Sequence, residues 1–431
     1  MLNNLKKKKK FLNVIKYFYK NKKNDLFQIN FQNFVISMSQ CLVNNEINYK
    51  PKEDTIRSKF SILKYCLIYF PFKKIIVFRN ANLQSKYFFI YMLLKGYHLV
   101  DFSMIKVLKK KEKIKFSVKE ISLLKNKFMK KSQLLKLLNH KFLNYELDIN
   151  PKNIHLIVTG SLHPLNHFFI KKMKKFKIPT VLIHHGLNSG FLDEPPTGYS
   201  ENSSVDNIIY YGNAMKRLRK RKATLLLDKF TNKSSRSYYC SNELIFKSYN
   251  NNLAKSFDRL KYLYVATELN KDSFYLPFSR ILPSEQTRIS KFYKNILTNL
   301  HLAPHPNCLN FSLKNNFKHK IEENWKKNIS NYDFLVFDYW STAIIDALYT
   351  NKPIIYFDHN IRNFTIEGLE FLKRRTLYIN VKEMNKIGKI RKLINNKIKN
   401  YNSRNYKRMI EFYFPQTLET KEKQLIQILK N

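Results

Sequence analysis

The chain has 431 residues, 44% of them apolar and 15% aromatic, enough to fill the cores of two domains of about 200 residues each and unlike the composition of a disordered or fibrous protein. Its formal charge of +48 draws it toward polyanions such as an anionic membrane surface, a nucleotide-linked substrate or nucleic acid. Nucleic acid is disfavoured, because the lysines are spread along the whole chain and no nucleic-acid-binding module is present.

Taken in chain order, Met1–Lys20 carries a lysine run at Lys6–Lys10, and its apolar residues are broken by Asn13 and Lys16, which does not make a signal peptide. Phe11, Val14, Ile15 and Phe18 share one helical face that suits either packing on the chain's own domain or lying on a membrane surface. The longest apolar runs, such as Tyr87–Leu94, are too short to span a bilayer. Strand, helix and strand are expected at Lys74–Phe78, Gln84–Leu94 and Tyr97–Phe102, followed by a long lysine-rich helix from Val118 to about Leu147. Further strands are expected at Asn153–Val158, Thr180–Ile183 and Asn207–Tyr211, with a helix starting at Pro164. Five of the eight glycines fall between Gly160 and Gly212, which marks this stretch as one where backbone turns sharply or approaches a ligand.

Between Lys216 and about Asp258 the periodicity fades, and an Asn/Ser-rich piece follows a basic run. This is the expected junction between a first domain at 1–230 and a second at 231–431. The second domain starts with a strand at Tyr262–Thr267, a helix at Ser284–Asn299 and a short strand at Leu300–Ala303. Two apolar runs, Phe334–Phe337 and Ile354–Phe357, flank the helix-prone Ala343–Leu348. Such a unit implies parallel strands joined by a right-handed crossover, with ligands gathering at the carboxyl ends. Asp338, Ser341 and Thr342 lie at that end, with Asp346 one turn beyond Thr342 on the same face. Helices are expected to fill the remainder, at Lys382–Ile398, Tyr401–Tyr413 and Thr417–Leu429.

Two other strands also end in polar turns: Thr180–Ile183 runs into His184-His185-Gly186, and Leu300–Ala303 into Pro304-His305-Pro306. His185-Gly186, His305-Pro306, and Asp338-Tyr339 with Ser341-Thr342, Asp346 and Lys352-Pro353 together resemble the CDP-glycerol glycerophosphotransferases and related surface-polysaccharide transferases. The resemblance is concentrated between Lys261 and Asp358. It implies an α/β fold of two Rossmann-like domains facing a cleft, the GT-B-like arrangement. Two departures stand out: Ala303 occupies a usual lysine position, and Trp340 is inserted before the hydroxyl pair. Bacterial CMP-sugar sialyltransferases also use a His-Pro turn and a Ser/Thr pair, so a CDP- or CMP-linked donor is the shared expectation.

A transferase of this kind must remove a proton from an acceptor hydroxyl and stabilise the departing phosphate. An imidazole near pKa 6.5 suits the first task, which assigns His185 as general base beside Gly186. His305, Pro306, Asp338, Ser341, Thr342 and Asp346 then form the donor-binding set, with hydroxyls and helix-start N–H groups holding phosphate. Asp193 and Glu194 are a second candidate base under the sialyltransferase resemblance, and Arg374 and Arg375 are candidate phosphate contacts from a loop. His163 and His167 are four apart, but Pro164 intervenes, which argues against zinc. Cys41, Cys66, Cys240 and Cys308 share no ligand spacing either. No metal and no cofactor is expected. The sequence therefore points to a transferase at the cytoplasmic membrane face, carrying a glycerol-phosphate or sugar unit to a polysaccharide or lipid-linked acceptor. A nucleotide-sugar epimerase of similar architecture and a non-catalytic polyanion-binding protein are the competing readings.

Overall fold

The computed structural model describes residues 5–22, 24–44, 74–79, 86–102, 106–127, 129–148, 151–160, 164–184, 189–195, 198–242, 244–251, 256–266, 283–305, 315, 317, 320–384, 386–399 and 401–430.

Three helices open the described chain: α1 (Leu5–Asn21), α2 (Asp25–Ile29) and α3 (Phe31–Asn44). Phe11, Val14, Ile15 and Phe18 of α1 are all buried, packed with Phe27, Phe31 and Phe34 and with Tyr199 and Phe230 from farther along the chain. The apolar face that could have met a lipid surface is thus an internal one. No described helix is long and apolar enough to cross a membrane.

The first sheet begins with β1 (Ile75–Arg79), α4 (Lys86–Leu94) and β2 (His98–Asp101). The expected long helix from Val118 to Leu147 is instead two helices, α5 (Val118–Lys127) and α6 (Lys131–Asn139), enclosed by the strands β3 (Lys106–Lys113) and β4 (Lys141–Asp148). These strands pair antiparallel, from Lys113 opposite Lys141 to Lys106 opposite Asp148. Lysine favours helices locally, but a cross-strand partner 28 to 42 residues away is a tertiary fact that local propensity does not carry. The chain returns to the sheet through β5 (Ile154–Thr159), α7 (Pro164–Lys174), β6 (Thr180–Ile183), β7 (Asn207–Tyr211), α8 (Ala214–Lys220) and β8 (Arg236–Cys240). Six strands in the order β2-β1-β5-β6-β7-β8 all run parallel. Arg236–Cys240 lies beyond the expected boundary at residue 230, yet it is the sixth strand of this sheet.

The second sheet holds β9 (Tyr262–Val265), β10 (Leu300–Ala303), β11 (Phe334–Phe337), β12 (Ile354–Asp358) and β13 (Leu377–Asn380) in the order β10-β9-β11-β12-β13, again all parallel. Around it lie α9 (Pro283–Ile296), α10 (Thr342–Leu348), α11 (Ile366–Arg375), α12 (Ile387–Lys399) and α13 (Tyr406–Tyr413). The last helix, α14 (Lys421–Lys430), crosses back to the first domain and packs on β7 and β8, burying Leu425 and Ile428 in the apolar cluster that includes Ile209 and Cys240. The central strands of both sheets, such as β1, β5, β7, β11 and β12, are dominated by Ile, Val, Leu, Phe and Tyr, the run expected of strands buried on both faces. The chain is an α/β protein with two Rossmann-like domains.

Candidate active site at the facing carboxyl edges

The loop after β6 joins the two sheets. Leu192 bridges to Phe364 in antiparallel fashion, the Asp193 N–H donates to the Asn363 carbonyl at 2.8 Å, and the Thr365 N–H donates to the Phe191 carbonyl at 3.0 Å. Because residues 189–195 follow the carboxyl end of β6 and residues 362–368 follow that of β12, the carboxyl edges of the two sheets face each other here. Glycine makes this approach feasible. A Cβ on Gly368 would stand 2.1 Å from the Phe191 carbonyl oxygen, and one on Gly190, at φ +81, would stand 2.3 Å from the Met215 nitrogen. Trp340, fully buried, stacks on Phe191 with ring centroids 5.3 Å apart, so the inserted residue packs the domain junction.

Charge is neutralised across the same junction. Arg362 Nε lies 3.0 Å from Glu194 Oε1 with both side chains buried, and its guanidinium also donates to the Tyr339 hydroxyl. Glu367, wholly buried, receives Arg217 at 3.0 Å and Arg221 at 2.9 Å. Asp193 Oδ1 accepts from the Leu227 N–H at 3.0 Å, and burial raises its carboxyl above the usual range. Asp193 and Glu194 are therefore built into the joint rather than exposed as bases.

The site residues expected from sequence fall into three groups. His185, Gly186 and Pro306 lie outside the described residues, as does His163. Their neighbours fix the frame: His184 is buried 5.3 Å from the Tyr210 ring at the end of β6, and His305 is half-buried two residues past the end of β10. His305 and Ser341 share the carboxyl edge of the second sheet, although β9 separates β10 from β11, leaving those strands about 10 Å apart. Ser341 is half-buried at the N-cap of α10 and its hydroxyl makes no cap hydrogen bond, while Thr342 is exposed. Asp346 pairs with Lys326.

Two basic groups from the sequence reading serve the backbone. Lys352 is buried, donating to the Tyr332 carbonyl at 2.7 Å. Arg375 is fully buried and donates to the carbonyls of Ala347 at 3.3 Å, Thr350 at 2.5 Å and Lys352 at 3.2 Å while stacking on Tyr406, so it satisfies the end of α10 rather than reaching a phosphate.

Asp338 anchors the centre of this edge. It is 2% exposed, and its Oδ2 accepts the hydroxyls of Tyr264 at 2.8 Å and Tyr293 at 3.1 Å. Tyr293 in turn meets His359 Nε2 at 2.6 Å. Burial raises the Asp338 carboxyl to about 6 against the pull of the two phenols, and burial beside Arg288 lowers the His359 imidazole to about 4. His359 was silent in the sequence because its meaning depends on Tyr293, 66 residues earlier on α9. Among the described residues no group of three or more His, Cys, Asp or Glu is placed to hold a metal ion.

Neither a protein-family model nor a curated protein sequence matches the chain. Solved structures do show likeness in fold. The UDP-GlcNAc 2-epimerase of Methanocaldococcus jannaschii, in complex with UDP-GlcNAc and UDP, is 12% identical with a TM-score of 0.41 over 83% of this chain and 99% of that one. MnaA of S. aureus, with UDP, is 13% identical with a TM-score of 0.40 over 83% and 96%. The wall teichoic acid polymerase TagF is 12% identical with a TM-score of 0.32 over 99% and 97%.

Proposed function

We propose that the chain is a transferase that moves a glycerol-phosphate or sugar unit from a CDP- or CMP-linked donor to a hydroxyl of a surface-polysaccharide or lipid-linked acceptor. The observation that supports this most is the meeting of two parallel sheets at their carboxyl edges, where the second sheet gathers imidazole, carboxyl and hydroxyl groups. Carboxyl edges of such sheets are where nucleotides bind. In this reading His305 with Ser341 and Thr342 holds the donor phosphate, with Gly186 and Pro306 contributing to substrate binding. His185, two residues after β6 in sequence, takes the proton of the acceptor hydroxyl. The excess of cations would favour work at an anionic membrane surface, on the cytoplasmic side where nucleotide donors are made.

Thermal-shift titration with CMP, CDP, UDP and GDP tests the donor, since a ligand bound only by the folded state stabilises it by RT ln(1 + [L]/Kd). Stabilisation by the cytidine nucleotides above the others is expected. A response confined to UDP, with an isomerised sugar formed in the absence of any acceptor, would replace the transferase by an epimerase. Salt-sensitive polyanion binding with no nucleotide response would leave a scaffold.

A further inference from the structure

We propose that His359, Tyr293 and Asp338 form a proton relay that delivers a proton from buried Asp338 to the oxygen of the departing nucleotide, with His359 as the residue that touches it. This deepens the transferase reading and rests on it. Three observations carry the relay. The three groups are joined in a line, Nε2 to Oη at 2.6 Å and Oη to Oδ2 at 3.1 Å. Only the outer one is within reach of a ligand: Asp338 and Tyr293 are buried, and His359 is half-buried just past the carboxyl end of β12. Finally, Nδ1 of His359 makes no hydrogen bond among the described residues, so the free nitrogen is the one opposite the relay.

A phenol oxygen both donates and accepts, so this line has two proton arrangements. With Asp338 ionised, Tyr293 donates to Oδ2, His359 Nε2–H donates to Tyr293, and Nδ1 is a bare acceptor. With a proton on Oδ2, that proton is given to Tyr293, Tyr293 donates to Nε2, and Nδ1 carries the hydrogen. In the second arrangement the step balances as follows. The bond between the transferred group and the nucleotide oxygen breaks with its electron pair left on that oxygen, which takes the Nδ1 proton. Nε2 takes the proton of Tyr293, Tyr293 takes that of Asp338, and Asp338 is left as a carboxylate, to be reprotonated from water. The acceptor proton leaves separately through the base of the first domain.

The surroundings explain why the proton is stored on the carboxyl. An imidazolium is disfavoured, since His359 is pushed down to about 4 by burial and by Arg288. Asp338 is faced by Tyr264 from β9, Tyr293 from α9 and Tyr356 from β12, none of them a cation, and burial lifts it to about 6. A terminal phosphate freed from a nucleotide donor has a second pKa of about 6, so donor and recipient of the proton are matched.

The protein labelled with ¹⁵N-histidine reports the relay without any turnover. As the pH falls through about 6, the His359 signals are expected to change from an Nε2–H to an Nδ1–H tautomer, and Tyr293→Phe should abolish the change. A single tautomer through that window, or a switch that survives Tyr293→Phe, overturns the relay. The acid role is read from kcat against pH with a cytidine donor: wild type loses rate on the alkaline side, and His359→Ala lowers kcat by roughly 10²-fold or more and removes that limb. An unchanged limb in His359→Ala or in Tyr293→Phe, which deletes a single oxygen, overturns it. A tautomer switch in a protein that turns over no nucleotide supports the relay, overturns its acid role and sinks the transferase reading, which keeps the failures apart.

Discussion

Phe191 stacks on Trp340 at a centroid distance of 5.3 Å and an interplanar angle of 28°, placing a ring from the first domain inside the aromatic cluster of the second. Phe371, Tyr413 and Phe414 close the same ring about Phe191. The two sheets are thus held by a shared core.

Trp340→Ala should lower the unfolding free energy by about 3–5 kcal/mol, the usual cost of emptying a large buried aromatic site. Urea unfolding checks this. A loss under about 1 kcal/mol would mean that the junction collapses onto the cavity or contributes little.

Arg362→Ala should destabilise by roughly 3–5 kcal/mol, because Glu194 is then left buried without its partner. The double variant Arg362→Ala with Glu194→Ala should recover part of that loss, and a thermodynamic cycle measures the recovery. Strict additivity would show that the two groups do not depend on each other.

His185→Ala should reduce turnover by roughly two to four orders of magnitude with little change in nucleotide affinity, whereas His305→Ala should weaken nucleotide binding as well. Calorimetry alongside steady-state kinetics separates the two effects. Near-normal turnover in His185→Ala would remove it as base, and the buried engagement of Asp193 and Glu194 makes neither a ready substitute.

Turnover should persist in EDTA, since helix N-termini, hydroxyls and imidazoles are offered to the phosphate. Activity abolished by chelation and restored by Mg²⁺ or Mn²⁺ would redirect attention to Asp338, Asp346 and Asp358 as ligands.

How much of this was legible depended on how local each cause is. β6, β7, β10 and β11 have the bounds expected from the sequence, because a strand buried on both faces is written mostly in Ile, Val, Leu, Phe and Tyr. The antiparallel pairing of β3 with β4 is not legible because Lys109, Lys110 and Lys111 on one strand and Lys141 on the other give no alternation, and their pairing is set at long range across two helices. β8 was hidden for a related reason: Arg236 to Tyr239 are exposed or half-buried at the edge of the sheet, so the run lacks the apolar signature. In the site, Ser341 was readable from its place between a strand and a helix. His359 and Arg375 were not, since one takes its meaning from Tyr293 and the other from the carbonyls closing α10.

The return of α14 to the first sheet has a consequence for synthesis. Leu425 and Ile428 of α14 cover β7 and β8 beside Ile209 and Cys240, so a ribosome completes β1 through β8 long before it makes this lid. Until then the β7–β8 end of that face is bare and sticky, while Phe88 and Met92 of α4 already cover part of the rest. The nascent chain should bind a holdase chaperone through this interval, and release should follow translation of Lys421–Lys430 rather than of β8.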